Sequence, residues 1–197
     1  MSASGGAFHT VATRGDGTLW AWGGNVSGAL GDGTLTDKAS PTQVGTSTSW
    51  STASAGGNHT AARRTDGTLW AWGDNNSGQL GNNTTVDQSV PIQIGTATTW
   101  ASVVAGGAHS GATRSNGTLW AWGVNSDGQV GDGTLVSKGV PTQVGTSTNW
   151  AEASTGGRYT LARRTDGTLW AWGDNFYGQL GDGTTVDKST PVNIPVP

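Results

Sequence analysis

The chain repeats itself every 50 residues, and that period narrows the folds open to it more than any other property of the sequence. Trp20, Trp70, Trp120 and Trp170 stand one period apart, as do Trp22, Trp72, Trp122 and Trp172, and as do Trp50, Trp100 and Trp150. These three series contain all 11 tryptophans. Pro41, Pro91, Pro141 and Pro191 keep the same step, so units 1–50, 51–100, 101–150 and 151–197 follow one another without insertion. A period of this length with no linker marks one array, in which each unit buries its apolar faces only against its neighbours.

Within a unit the patterns predict strands. In the second, "WSTASAGG" is short and bounded by glycines, "HTAARR" alternates, "TLWAWG" is rich in aromatics, and "SVPIQIG" is a β-branched run containing Pro91. Asp66-Gly67 lies between the second and third of these, matched by Asp16-Gly17, Asn116-Gly117 and Asp166-Gly167. Such dipeptides tolerate positive φ, which predicts a hairpin closed by a two-residue type I′ turn. Proline donates no ladder hydrogen bond, so "SVPIQIG" belongs at an outer edge. The stretch "GDNNSGQLGNNTTVDQ" reads as a long surface loop.

Four short strands cannot bury two faces alone, and a sheet repeated at fixed period packs on the next. The fold class expected is therefore all-β, a β-propeller of four-stranded antiparallel blades, four blades per chain. The tryptophans then find a use. Residues two apart in a strand point the same way, so Trp70 and Trp72 share one face and Leu69 and Ala71 the other. Large against small is what interdigitating blades require. Burying one tryptophan removes roughly 200 Å² of mainly apolar surface, about 5 kcal/mol before entropy is subtracted. Trp20, Trp22, Trp70, Trp72, Trp120, Trp122, Trp170 and Trp172 are accordingly expected as blade core, in preference to a sugar-stacking platform.

Charge and chemistry exclude several functions. The net charge is −3, with no basic face for nucleic acid. No apolar run approaches the ~20 residues of a membrane span, and "MSASGGAFHT" lacks the regions of a signal peptide, which predicts a soluble chain without membrane contact and leaves its compartment open. There are no cysteines, hence no disulfides. His9, His59 and His109 are equivalent, but their fourth counterpart is Tyr159, so the position reads as a hydrogen-bonding aromatic and not as a metal ligand. Asp32, Asp74, Asp132, Asp174 and Asp182 sit in glycine-rich loops without the spacing of a calcium loop and read as turn caps. No P-loop, nucleophile elbow or Cys/His pair is present. No catalytic residue, cofactor or metal is expected. Asn25-Val26-Ser27 and Asn75-Asn76-Ser77 fit the glycosylation sequon, which an Asn- and Thr-rich array generates by chance.

The stretch "GGNHTAARRTDGTLWAWGDNNSGQLG", with Gly56, Gly57, His59, Thr60, Asp66, Gly67, Trp70, Trp72, Gly73, Asn75, Gly78, Gln79, Leu80 and Gly81, resembles the regulator of chromosome condensation repeat, and the resemblance extends over all four units. It is distinct from the kelch repeat, in which tyrosine and tryptophan follow the double glycine at shorter spacing. The resemblance implies a propeller of four-stranded blades, usually seven, and protein binding through loops on one rim. It implies no single activity.

Two departures follow. The chain has four units, and Met1 corresponds to Ser51, one residue after Trp50, while "PVNIPVP" stops short of a counterpart of Trp150; both suggest an array cut at a repeat boundary. Seven-fold blades turn through about 51° each, so four span roughly 204° and leave two open faces. Two chains joined head to tail need 45° per blade, a change of only about 6°, which predicts a homodimeric eight-bladed ring with unit four of each chain on unit one of the other and that junction the weakest. Residues that vary between units mark candidate partner contacts. Phe8, Asn58, Ala108 and Arg158 precede the histidine position, and Phe176 with Tyr177 occupies the loop after the last tryptophan strand. Phe8, Arg158, Phe176 and Tyr177 are of the types enriched in binding hot spots. Three readings remain open: a protein-binding module, a purely structural array, and a carbohydrate-binding propeller.

Overall fold

The computed structural model describes residues 1–195, so the last two residues of the fourth unit lie outside it, and no helix occurs among those described. The first blade consists of β1 (Ser2–Gly5), β2 (His9–Thr13), β3 (Leu19–Gly23) and β4 (Lys38–Gln43). The second contains β5 (Trp50–Ala55), β6 (His59–Arg64), β7 (Leu69–Gly73) and β8 (Gln88–Gln93); the third β9 (Val104–Ala105), β10 (His109–Thr113), β11 (Leu119–Gly123) and β12 (Lys138–Gln143). The fourth contains β13 (Trp150–Thr155), β14 (Tyr159–Arg164), β15 (Leu169–Gly173) and β16 (Lys188–Ile194). Each blade is an antiparallel sheet with its strands in chain order. The glycine turns after the four inner strands converge on an axial opening, and the proline strands lie outermost, as the missing N–H requires.

The tight hairpins form where expected, but their turn is of another type. Gly67 N–H donates to Arg64 O (3.0 Å) and Arg64 N–H to Thr68 O (3.1 Å). Gly67 has φ +80°, while Asp66 is not left-handed; among the described residues Asn83 is the one non-glycine with positive φ. This is a three-residue loop, a type I turn followed by a left-handed glycine bulge. Thr68 is the cause. Asp66 Oδ1 accepts both its N–H (2.9 Å) and its hydroxyl (2.7 Å), and that hydroxyl accepts the Trp70 indole N–H (2.9 Å). The aspartate is thus held in right-handed geometry and the glycine alone takes positive φ.

Three wedge-shaped cores separate the blades. Val11, Leu19, Ala21, Leu30 and Val44 of the first blade meet Trp50, Ala62 and Trp72 of the second. Ala61, Leu69, Ala71, Leu80 and Ile94 meet Trp100, Ala112 and Trp122 in the same way, and Leu119, Ala121, Val130 and Val144 meet Trp150, Ala162 and Trp172. Every blade presents an aliphatic face forward and a tryptophan face backward. Trp50 and Trp150, which close a sequence unit, open the inner strand of the next blade, and Trp100 pairs with Arg114 of the blade that follows it.

The two tryptophans of one strand divide their roles. Trp72, Trp122 and Trp172 are wholly enclosed. Trp70, Trp120 and Trp170 are half-buried at the wedge margin, each covered by an arginine guanidinium 3.7–4.0 Å from its ring, from Arg64, Arg114 and Arg164 respectively. Trp50 sets its edge against Trp70 (5.9 Å) and tilts against Trp72 (5.8 Å). Trp20 and Trp22 occupy the equivalent places on the first blade, whose tryptophan face has no preceding blade, and both remain half-exposed.

Candidate functional site

The loop from β7 to β8 is built around a buried amide that its polar sequence conceals. Asn75 Nδ2 donates to Asn82 Oδ1, Thr84 O and Val86 O, its Oδ1 accepts Leu80 N–H, and its own N–H donates to Asp87. The side chains of Asn25, Asn125 and Asn175 make the same bonds in their blades and are fully buried. Asn25 and Asn75, each the first residue of a glycosylation sequon, are therefore closed to solvent in the folded chain. These loops share a rim with the turns before the histidines, since Gly24 N–H donates to Phe8 O and Asp74 N–H to Asn58 O. The hairpins occupy the opposite rim, where Gly17 O receives the Trp50 N–H.

On the first of these rims Arg158, Phe176 and Tyr177 lie together around a shallow depression with Asp127, Asp174, Val186 and Asp187. Phe176 and Tyr177 are 72% and 86% exposed and meet edge to face at 4.8 Å. Arg158 grips Asp127 of the preceding blade, Nε to Oδ2 at 2.9 Å and Nη2 to Oδ1 at 2.8 Å. Phe8, 68% exposed, stands apart from them on the first blade. Asp74 and Asp174 cap their loops through the N–H of Asn76 and Phe176, and Asp32, Asp132 and Asp182 accept from Thr34, Thr134 and Thr184 while pairing with Lys38, Lys138 and Lys188.

The histidines run from blade to blade along the axial side. His9 Nε2 lies 2.8 Å from Thr60 Oγ1, His59 Nε2 2.9 Å from Ser110 Oγ, and His109 Nε2 3.0 Å from Thr160 Oγ1. Each hydroxyl spends its proton on a carbonyl of the preceding blade, Ala29 O, Gln79 O and Gln129 O. The geometry therefore assigns the proton of each histidine to Nε2 and leaves Nδ1 bare, buried and unpartnered. Burial lowers His9 and His109 from 6.5 to about 4 and His59 to about 3, with the neighbouring histidines adding to the last. Tyr159 stands at the equivalent position of the fourth blade and carries a hydroxyl at its ring end, so both residue types at this position are aromatic rings with a polar tip. Among the described residues no three His, Asp or Glu side chains are placed to hold a metal ion, and no helix is long and apolar enough to cross a membrane.

The two ends of the array are the remaining surfaces. On the fourth blade Ala171, Leu180 and Ile194 form a small cluster edged by Tyr159, Leu161, Leu169 and Val192. Leu19, Leu69 and Leu119 are enclosed by the blade after them, whereas Leu169 is partly open. On the first blade Trp20 and Trp22 face outward.

The family profile described as "Regulator of chromosome condensation (RCC1) repeat" matches residues 16–63, 66–113, 116–163 and 166–197, and a second profile of the same description matches 2–29, 51–79, 100–129 and 151–179. No curated protein matches the chain. Human WBSCR16 superposes with a TM-score of 0.91 at 23% identity over 100% of this chain and 53% of its own. Prp20p from Saccharomyces cerevisiae, in a structure reported with its binding properties to Gsp1p and histones, gives 0.88 at 22% identity over 99% and 50%. The yeast protein bound to Kap60 gives 0.87 at 20% identity over 99% and 48%. The chain thus spans about half the length of the solved structures it resembles, and at these identities the likeness is one of fold.

Proposed function

The chain belongs to the regulator of chromosome condensation (RCC1) repeat family, and from that premise we propose that it is a non-catalytic propeller scaffold that assembles through its end blades and binds protein through the rim carrying Phe176 and Tyr177. The observation that carries this reading is the complementarity of the two ends. The fourth blade leaves Leu161, Leu169 and Val192 partly open over buried Ala171 and Leu180, on the face that elsewhere receives an indole, and the first offers half-exposed Trp22, the side chain that elsewhere is received. A head-to-tail pair closes when eight blades turn through 45° each, against about 51° for seven, and exposed apolar faces of this kind favour association. Protein binding at the rim is supported by the exposed aromatic pair, and by the partners of the yeast relative, which are themselves proteins.

Two measurements test the reading. Light scattering should give twice the 19.9 kDa chain mass, and a compact monomer at micromolar concentration would refute the ring. For the rim, replacing Phe176 and Tyr177 together by Ala should leave the blades folded and weaken any protein retained on the immobilised chain. Unchanged retention would remove the rim from the reading.

A further inference from the structure

Each junction inside the chain places the residue before the axial ring residue of one blade opposite the residue 31 positions earlier, on the rim loop of the blade before it. At the third junction these are Arg158 and Asp127, joined by two hydrogen bonds. At the second the positions hold Ala108 and Ser77, and at the first Asn58 and Ser27. Taken one step further, the same spacing pairs Tyr177 with the partner's Phe8. Both are large aromatic side chains left exposed at opposite ends of the array, and each lacks its counterpart within the chain.

Resting on the ring reading above, we propose that Tyr177 and the partner's Phe8 form the fourth junction pair and select a second copy of this chain, in one register, as the occupant of the open faces. Three further series end at the same junction. The indoles of Trp72, Trp122 and Trp172 donate to Ala29 O, Gln79 O and Gln129 O, and the next acceptor is Gln179 O, for the partner's Trp22. Gly31, Gly81 and Gly131 lie so close to those indoles that a Cβ would stand 2.5–2.7 Å from the ring nitrogen, whereas Gly181 has only Ile194 near it, at 3.5 Å. That gap is where the fourth indole enters. The His9–Thr60, His59–Ser110 and His109–Thr160 bonds continue as Tyr159 donating to the partner's Thr10. Phe176, edge-on to Tyr177, holds the ring that the partner's Phe8 meets.

The pair differs in chemistry from the other three, and this makes it separable from them. Asp127 and Arg158 show which polar pair the site accepts, so the test transplants them. Tyr177→Asp should weaken the dimer about tenfold by sedimentation equilibrium, and Tyr177→Asp with Phe8→Arg should recover most of that loss, which a sum of independent effects would not do. Both side chains are exposed in the single chain, so neither change touches a blade's own core, and circular dichroism should be unaltered. A wild-type chain that stays monomeric, or that closes only with three or more copies, overturns the twofold ring and the pair with it. A dimer indifferent to Tyr177→Asp, or a double variant no tighter than the single, overturns the pair and leaves the ring standing.

Discussion

His59 donates from Nε2 to Ser110 across the boundary between the second and third blades, and its other ring nitrogen meets no acceptor. Protonation would place a charge and a second N–H in that enclosed space. The folded pKa of each such histidine is therefore depressed, to about 3 for His59 and about 4 for His9 and His109. An unfolded chain binds protons near 6.5 and the folded one does not. The contribution to stability is complete above pH 6.5 and is lost as pH falls toward 4 and 3. Three such groups give at most about 4 kcal/mol per pH unit near pH 5. Urea midpoints at pH 7, 6 and 5 measure the slope, and His59→Gln, which keeps a donor near Nε2, should flatten it by about a third.

Trp72→Ala empties the centre of a wedge and should cost roughly 3–5 kcal/mol, with Trp122→Ala costing about as much. Trp70→Ala removes a half-exposed ring and its contact with Arg64, and should cost clearly less. Denaturation midpoints rank the three. Equal losses at Trp70 and Trp72 would contradict the division of roles between them.

Gly31 and Gly181 share a left-handed backbone, with φ +73° and +75°, so a side chain strains both alike. A Cβ on Gly31 would also stand 2.6 Å from Trp72 Nε1. Gly31→Ala should lower the thermal midpoint far more than Gly181→Ala, whose strain costs about 1 kcal/mol. In the proposed ring, Gly181→Ala should act on assembly instead, visible by light scattering as a loss of the dimer that the ring requires.

Asn75→Ala leaves a loop carbonyl pair and the Leu80 N–H without their shared partner in a closed space, at a cost of about 3 kcal/mol. Native-state hydrogen exchange should show the 74–87 loop losing protection while β6 and β7 keep theirs. Uniform loss of protection would mean that the asparagine supports the whole blade.

The period, the alternation of Trp70 and Trp72 with Leu69 and Ala71, and the edge position of Pro91 were legible because each depends on residues adjacent in a strand or one period apart. The turn type was not, because it rests on Thr68 capturing Asp66, a side-chain event that the Asp-Gly dipeptide does not report. Nor was the burial of Asn75, since an asparagine between glycines has the composition of a solvated loop. Arg64 repeats with the same period as the tryptophans it covers, a signal that was present and needed only the idea that a strand's last residue can fold back over its neighbour. The candidate residues Arg158, Phe176 and Tyr177 were singled out by type. The pairing of Arg158 with Asp127 depends on two blades lying side by side, and no local pattern carries it.

Trp50 sits at the end of one sequence unit and packs in the blade of the next. The genetic period and the folded body are therefore out of phase, and a short segment, Val44 to Ser49 at the first junction, ties one blade to the next by a covalent bridge that ends in a core side chain. A duplication of 50 residues begun at any point would still add one complete wedge, because whatever is missing from one border is restored at the other. An array of this kind can lengthen or shorten by unequal crossing-over without a preferred breakpoint, and the blade count becomes a property of copy number and closure instead of being written into any one repeat.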